Sequence, residues 1–216
     1  MTKLVYYVFD PLCGWCYAAS KTVAALDASR DVELRMLPNG LFLGSGARPM
    51  DDAMATHAWT NDQRIERLTG QHFSERYRDD VLGDRREMFD SGPATLALTA
   101  VSMTEPKREA EALAAIQRAR YIDGRQTTWP EILAEVLSSL NLLDAVSRLH
   151  RPDSVLLNMN QVRINKGQAL LFEARTRGVP AFVIEKDGHP HAMNTALAYT
   201  DPEAFLAELL SDVSVA

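Results

Sequence analysis

The stretch that decides the fold is Leu4-Val5-Tyr6-Tyr7-Val8-Phe9-Asp10-Pro11-Leu12-Cys13-Gly14-Trp15-Cys16, an apolar run closed by Asp-Pro and followed at once by a pair of cysteines. The run shows no polar alternation, as expected of a central strand buried on both faces. Beyond it, Cys16, Ala19, Val23 and Leu26 recur at helical spacing, so Tyr17 to Ser29 reads as a helix and the cysteines fall where the strand gives way to it. Cys16 then looks inward and Cys13 sits at the open end. In open α/β sheets that end of the strand is where ligands bind.

These are the only two cysteines in a chain of 216 residues. Two cysteines placed at random would fall at this spacing on the order of one time in a hundred. A chemical reason is available. A thiol in the first turn of a helix faces unpaired N–H groups and the positive end of the helix dipole, which favour the thiolate. Cys13 can attack a disulfide, and Cys16, one turn on, can resolve the mixed disulfide. The competing reading is a structural pair or a zinc half-site. Zinc takes four ligands as a rule, so His189 and His191, alternate residues of a strand, would have to complete the set.

With 46% hydrophobic residues the chain can bury a real core without staples, and its length suits one domain or one domain carrying an insertion. A net charge of −6 argues against nucleic acid or an anionic membrane as partner, because both recruit basic patches. The apolar run at the N-terminus is too short for a signal-peptide core and lacks a small-residue cleavage site. The expected location is therefore cytoplasmic, where a close cysteine pair is more often catalytic or metal-binding than structural.

Val32, Leu34 and Met36 alternate with Glu33 and Arg35 as a half-buried strand. After a Gly- and Pro-containing loop from Pro38 to Pro49, Met50 to Gln161 reads as helices with no convincing strand. Asn61 to Thr69 and Ser74 to Leu82 are expected as polar surface helices, and the charged run Asp79 to Glu87 as a solvated face. Leu96, Ala100 and Met103 share one face, as do Leu113, Ile116 and Ala119 on the next helix, which stops at Gly124. Thr128 and Glu131 have capping-box spacing ahead of Ile132, Leu133, Val136 and Leu140. Val162, Ala169 and Phe172 mark a helix that ends at Gly178 as a left-handed cap. The strand Ala181 to Glu185, a turn at Asp187-Gly188 and a shorter strand from His189 to Met193 follow. Asp201 caps a last helix with Pro202 in its first turn and Phe205, Leu206, Leu209 and Leu210 toward the core.

The expected fold class is α/β, with residues 1–47 and 162–216 as two halves of one domain and residues 48–161 as an all-helical insertion. That order of elements, with a cysteine pair at the first helix and Gly178-Val179-Pro180 before a hairpin, resembles the thioredoxin superfamily. The helical insertion resembles its DsbA-like branch, which takes in the DsbA oxidases, cytosolic relatives classed as protein-disulfide isomerases and the kappa-class glutathione transferases. The resemblance covers nearly the whole chain: Tyr7 to Ala18, Asp90 to Ala94, Gln117 to Gly124, and Glu173 to Ile184. It implies a thioredoxin-like fold with a large helical insertion, Cys13 as nucleophile and Cys16 as resolving thiol. It also implies a cis Val179-Pro180 step beside the thiols, with the Val179 backbone pairing to substrate. DsbA has Pro-His between its cysteines, so the oxidising power tied to that dipeptide does not carry over to Gly14-Trp15.

The activity expected is protein-disulfide oxidoreductase or isomerase chemistry on a disulfide-containing protein or a small thiol. No cofactor is expected beyond the Cys13-Cys16 pair, and glutathione is an open choice of co-substrate. Trp15 is either an aromatic covering the helix start or a flat contact for substrate and a shield for Cys16. Asp10 is either a cap at the helix start or a proton acceptor for the buried thiol. It also matches an acidic position of the kappa-class enzymes, in which serine stands where Cys13 does. His57 and Trp59 are expected as packing or surface residues. Two other classes stay open: a glutathione-dependent transferase or isomerase of the kappa type, and a zinc- or peptide-binding module without catalysis.

Overall fold

The computed structural model describes residues 2–186 and 188–211. Strand β1 (Lys3–Phe9) runs through the middle of a four-stranded sheet, with Val5, Tyr7, Val8 and Phe9 fully buried. The thiol helix follows in two pieces, α1 (Gly14–Ala18) and α2 (Ser20–Ala28), where one helix was expected. The break is at Ala19, whose ψ of 1° opens the turn while its N–H still bonds to Trp15. β2 (Val32–Pro38) lies parallel to β1, as a strand–helix–strand unit requires.

A short strand β3 (Arg48–Pro49) leads into α3 (Asp52–Thr69), capped by the Asp51 carboxylate on the Met54 N–H. The expected surface helix from Ser74 to Leu82 is instead a π-helical turn over Tyr77–Val81, with Tyr77 and Val81 fully buried. β4 (Met88–Phe89) pairs antiparallel with β3, so the insertion carries a small strand pair where helices alone were expected. At two residues each, these strands lie below what periodicity can register.

The insertion is organised around α4 (Gly92–Thr104), buried at Ala94, Thr95, Ala97, Leu98, Thr99, Ala100 and Val101. A helix apolar nearly all round is a central helix. Around it stand α5 (Glu109–Tyr121), α6 (Pro130–Ser139), α7 (Leu143–His150) and α8 (Ser154–Glu173). α6 starts from Trp129 with no side-chain cap, so the Thr128–Glu131 capping box does not form. Pro130, at the first helical position, needs no partner for a missing N–H and fixes the start by itself.

α8 crosses residue 161, where the sequence places the insertion boundary, and it also corrects the expected apolar face. Val162 is 58% exposed and Phe172 85% exposed, while Leu156, Arg163, Ile164, Gly167 and Leu171 are buried. Gly167 explains the close fit: a Cβ there would lie 2.6 Å from the Pro38 carbonyl oxygen. The Arg163 guanidinium bonds to the Met36 carbonyl (2.9 Å), to Thr99 Oγ1 (3.0 Å) and to Glu109. It therefore joins β2 to α4 and α5. The left-handed residue that ends α8 is Arg175 (φ 51°), not Gly178, which lies further on in the loop at φ 80°.

β5 (Ala181–Lys186) pairs antiparallel with β1, and β6 (His189–Ala192) pairs antiparallel with β5, giving the order β2-β1-β5-β6. Asp187 of the expected turn lies outside the described residues; Gly188 has φ 74°. α9 (Ala196–Thr200) and α10 (Pro202–Ser211) complete the chain, with Asp201 Oδ1 accepting the Ala204 N–H (3.0 Å) and Phe205 and Leu209 fully buried. The sheet with its flanking helices is the thioredoxin-like arrangement expected, and the helices between β2 and β5 form the large insertion.

Candidate active site

Cys13 closes the turn from β1 to α1. Its N–H bonds to the Asp10 carbonyl (3.1 Å) and its carbonyl accepts the Tyr17 N–H (3.0 Å), which makes it the residue just before the first helical turn. Its sulfur lies 3.6 Å from the Val179 carbonyl oxygen, and the Val179-Pro180 peptide is cis. Cys13 is 7% exposed, whereas Cys16 is completely buried. Burial pushes the Cys16 thiol well up and the adjacent Cys13 sulfur pushes it further, with the Asp10 backbone N–H opposing. Both thiols are free and buried, and of the two only Cys13 borders the groove that runs toward the insertion.

Asp10 is fully buried, and both its carboxylate oxygens are engaged. Oδ1 accepts the Leu12 N–H (2.9 Å); Oδ2 accepts the Phe42 N–H (3.2 Å) and the Ser91 hydroxyl (2.7 Å). Burial raises its pKa and these bonds oppose the rise. It thus fastens the thiol turn to the loop after β2 and to the start of α4, and it caps the turn rather than α1. Trp15 is half-buried, its ring 5.1 Å from that of Tyr199 and tilted by 58°. Tyr7, below the pair, donates its hydroxyl to the Cys16 carbonyl (3.2 Å).

A groove of about 720 Å³ runs from Cys13 and Val179 toward the insertion. Leu41, Phe42, Pro49, Met54 and Phe89 give it apolar walls, with His57 and Asp62 on the α3 side. Trp59 packs instead near Tyr77, with the Arg78 guanidinium 5.6 Å from its ring. His189 and His191 are exposed on the edge strand β6, and among the described residues no group of three or more His, Cys, Asp or Glu side chains is gathered as metal ligands.

The far wall of the site was not foreseen from the sequence. Tyr121 donates its hydroxyl to the carbonyl of Leu12, the residue before Cys13 (2.7 Å). Asp62 packs on Gly14, the residue after it, where a Cβ would lie 2.3 Å from Asp62 Oδ1. Only glycine fits there without displacing that carboxylate. Asp62 Oδ2 accepts the Tyr77 hydroxyl (2.9 Å), and burial pushes the Asp62 carboxyl up to about 7 against that bond and the Arg120 charge. One signal in the sequence pointed to Asp62. The buried face of α3 runs Ala55, Ala58, Asp62, Ile65, and an acid in an apolar stripe calls for a reason.

No protein-family model matches the chain, and no curated protein matches it in sequence. Solved structures do match. Together with the thiol site they define the class: a thiol-disulfide oxidoreductase with a DsbA-like, thioredoxin-type fold. In particular it is similar to the cytosolic disulfide reductase DsbM from Pseudomonas aeruginosa, at 29% identity and a TM-score of 0.86 over 99% of this chain and 100% of that one. The same reductase with GSH matches at 27% identity and a TM-score of 0.82, over 98% and 100% of the two chains. A candidate protein disulfide isomerase from Nitrosomonas europaea shares the fold at 18% identity and a TM-score of 0.77, over 99% and 100%.

Proposed function

We propose that the protein is a cytosolic disulfide reductase whose redox centre is Cys13-Gly14-Trp15-Cys16, acting on disulfides of proteins or of small thiols. The observation that carries this reading is the contrast between a groove-facing Cys13, 3.6 Å from the Val179 carbonyl, and a fully buried Cys16 one turn behind. The Cys13 thiolate attacks a substrate disulfide, forming a mixed disulfide and releasing one substrate thiol. Cys16, giving up its proton, then attacks the Cys13 sulfur, so the second substrate thiol leaves and the pair is oxidised by two electrons. Two equivalents of a thiol such as glutathione return those electrons; run backwards, the same steps install disulfides.

Val179 supplies the backbone carbonyl to an extended substrate, replacing the contact now made by the Cys13 sulfur, and Trp15 and Pro180 flank it. The likeness to a reductase solved with GSH supports glutathione as a co-substrate. The apolar walls of the groove suit side chains of a larger disulfide substrate. Cys16→Ser tests the scheme. Incubated with oxidised glutathione, this variant accumulates a stable glutathione adduct on Cys13, read by mass spectrometry. An unmodified Cys13 under conditions that turn over the parent protein overturns it. A kappa-type transferase predicts conjugation that survives loss of Cys16, but Asp10, the acidic position on which that reading leans, has both oxygens engaged within the fold.

A further inference from the structure

One ionisable group of the insertion presses against the redox helix without taking part in disulfide exchange. Asp62, on α3, is 3% exposed and seated over Gly14, next in sequence to Cys13, and both Asp62 and Cys13 line the groove. Its second oxygen is held by Tyr77 from the π-helical turn. Behind Tyr77 lies Arg120 of α5, 1% exposed, with its guanidinium 5.4, 5.1 and 6.0 Å from the rings of Tyr77, Phe89 and Tyr121. Its three guanidinium nitrogens make no well-formed hydrogen bond, and the Tyr77 hydroxyl is the polar group that lies against them. A buried cation held mainly by ring faces needs a counter-charge nearby, and Asp62 feels its field. The remaining charged or titratable groups lining the groove are Arg48, Asp51 and His57.

Two demands therefore meet on one carboxyl. Burial favours its protonated form, while Tyr77 and Arg120 favour the anion. We propose that Asp62 is a positioning residue that couples proton uptake in the insertion to the thiol chemistry. Ionised, it stands beside Gly14 and opposes negative charge on the Cys13 sulfur; protonated, it leaves that charge unopposed. It acts through charge, and Gly14 is the gap that lets it come close. The coupling rests on Cys13 being the attacking thiol for its use, but not for its measurement.

The test follows Cys13 thiolate by ultraviolet absorbance in a Cys16→Ser background, with and without Asp62→Asn, from about pH 5 to about pH 10. A like charge close to a thiol disfavours its anion, with an effect on the order of tenfold in the proton equilibrium. Asp62→Asn should move the thiolate titration to lower pH by that factor wherever Asp62 is ionised in the parent. Linkage is reciprocal, so a second arm reads the Asp62 carboxyl carbon by NMR, with Cys13 either free or carbamidomethylated. If Cys13 titrates first, capping it should move the Asp62 titration down by the same factor. Tyr77→Phe, which removes a bond to the anion, should move the Asp62 titration up. Titrations that stay in place in both arms overturn the proposal, and the NMR arm stands even where Asp62→Asn does not fold. Loss of the glutathione adduct with this coupling intact would count against the reductase scheme alone.

Discussion

On one side of the groove, Asp10, Leu12, Cys13, Cys16 and Tyr17 follow one another along the chain, and the turn that aims the Cys13 sulfur is closed by bonds within that short run. On the other side, Asp62, Tyr77, Arg120 and Tyr121 arrive from α3, the π-helical turn and α5, and meet only because the insertion folds back on the thiol helix. The difference separates two tasks. Disulfide exchange needs two sulfurs at fixed spacing, which a single turn of helix supplies. The charge, shape and rigidity of their surroundings need groups from far along the chain, which only tertiary structure supplies.

The comparison can be broken by substitutions on each side. The largest effect belongs to the local side: Cys13→Ser should lower disulfide turnover on the order of a thousandfold or more in an insulin-reduction assay. Retained turnover would mean that the chemistry is not confined to the turn. Next comes the clamp between the two sides. Arg163→Met leaves the buried Glu109 carboxylate without its cation and should cost about 3–5 kcal/mol by chemical denaturation. Burial raises the pKa of Glu109 while Arg163 lowers it. Once the cation is gone the glutamate should take up its proton at higher pH, so the deficit should shrink as pH falls. The smallest effect sharpens the contact itself. Gly14→Ala drives a methyl into the Asp62 carboxylate and should cost about 1–3 kcal/mol. Adding Asp62→Ala to it should recover part of that loss, and a double-mutant cycle reads the coupling; strict additivity would dissociate the two residues.

What was legible in the sequence follows the same division. The buried strand before the cysteines, the inward Cys16 and the Asp201 cap were readable because each is a pattern of near neighbours. The Val179-Pro180 step opposite Cys13 was reached through resemblance, since nothing local says which sulfur a distant proline will face. Where two local signals competed, the stiffer one won, as at Pro130 over the Thr128 box. On α8 the apolar residues Val162 and Phe172 misled because a buried cation, Arg163, and Gly167 define the face that packs. Asp62 was overlooked because Asn61 to Thr69, taken alone, reads as a polar surface helix, and the stripe that would have flagged the acid begins a full turn earlier at Ala55 and Ala58.

α8 starts among the insertion helices and ends against the sheet, and its Gly167 and Arg163 both grip the end of β2. Anyone transplanting this helical cap onto another scaffold would have to bring that whole rod along, together with a receiving strand whose last carbonyls are bare.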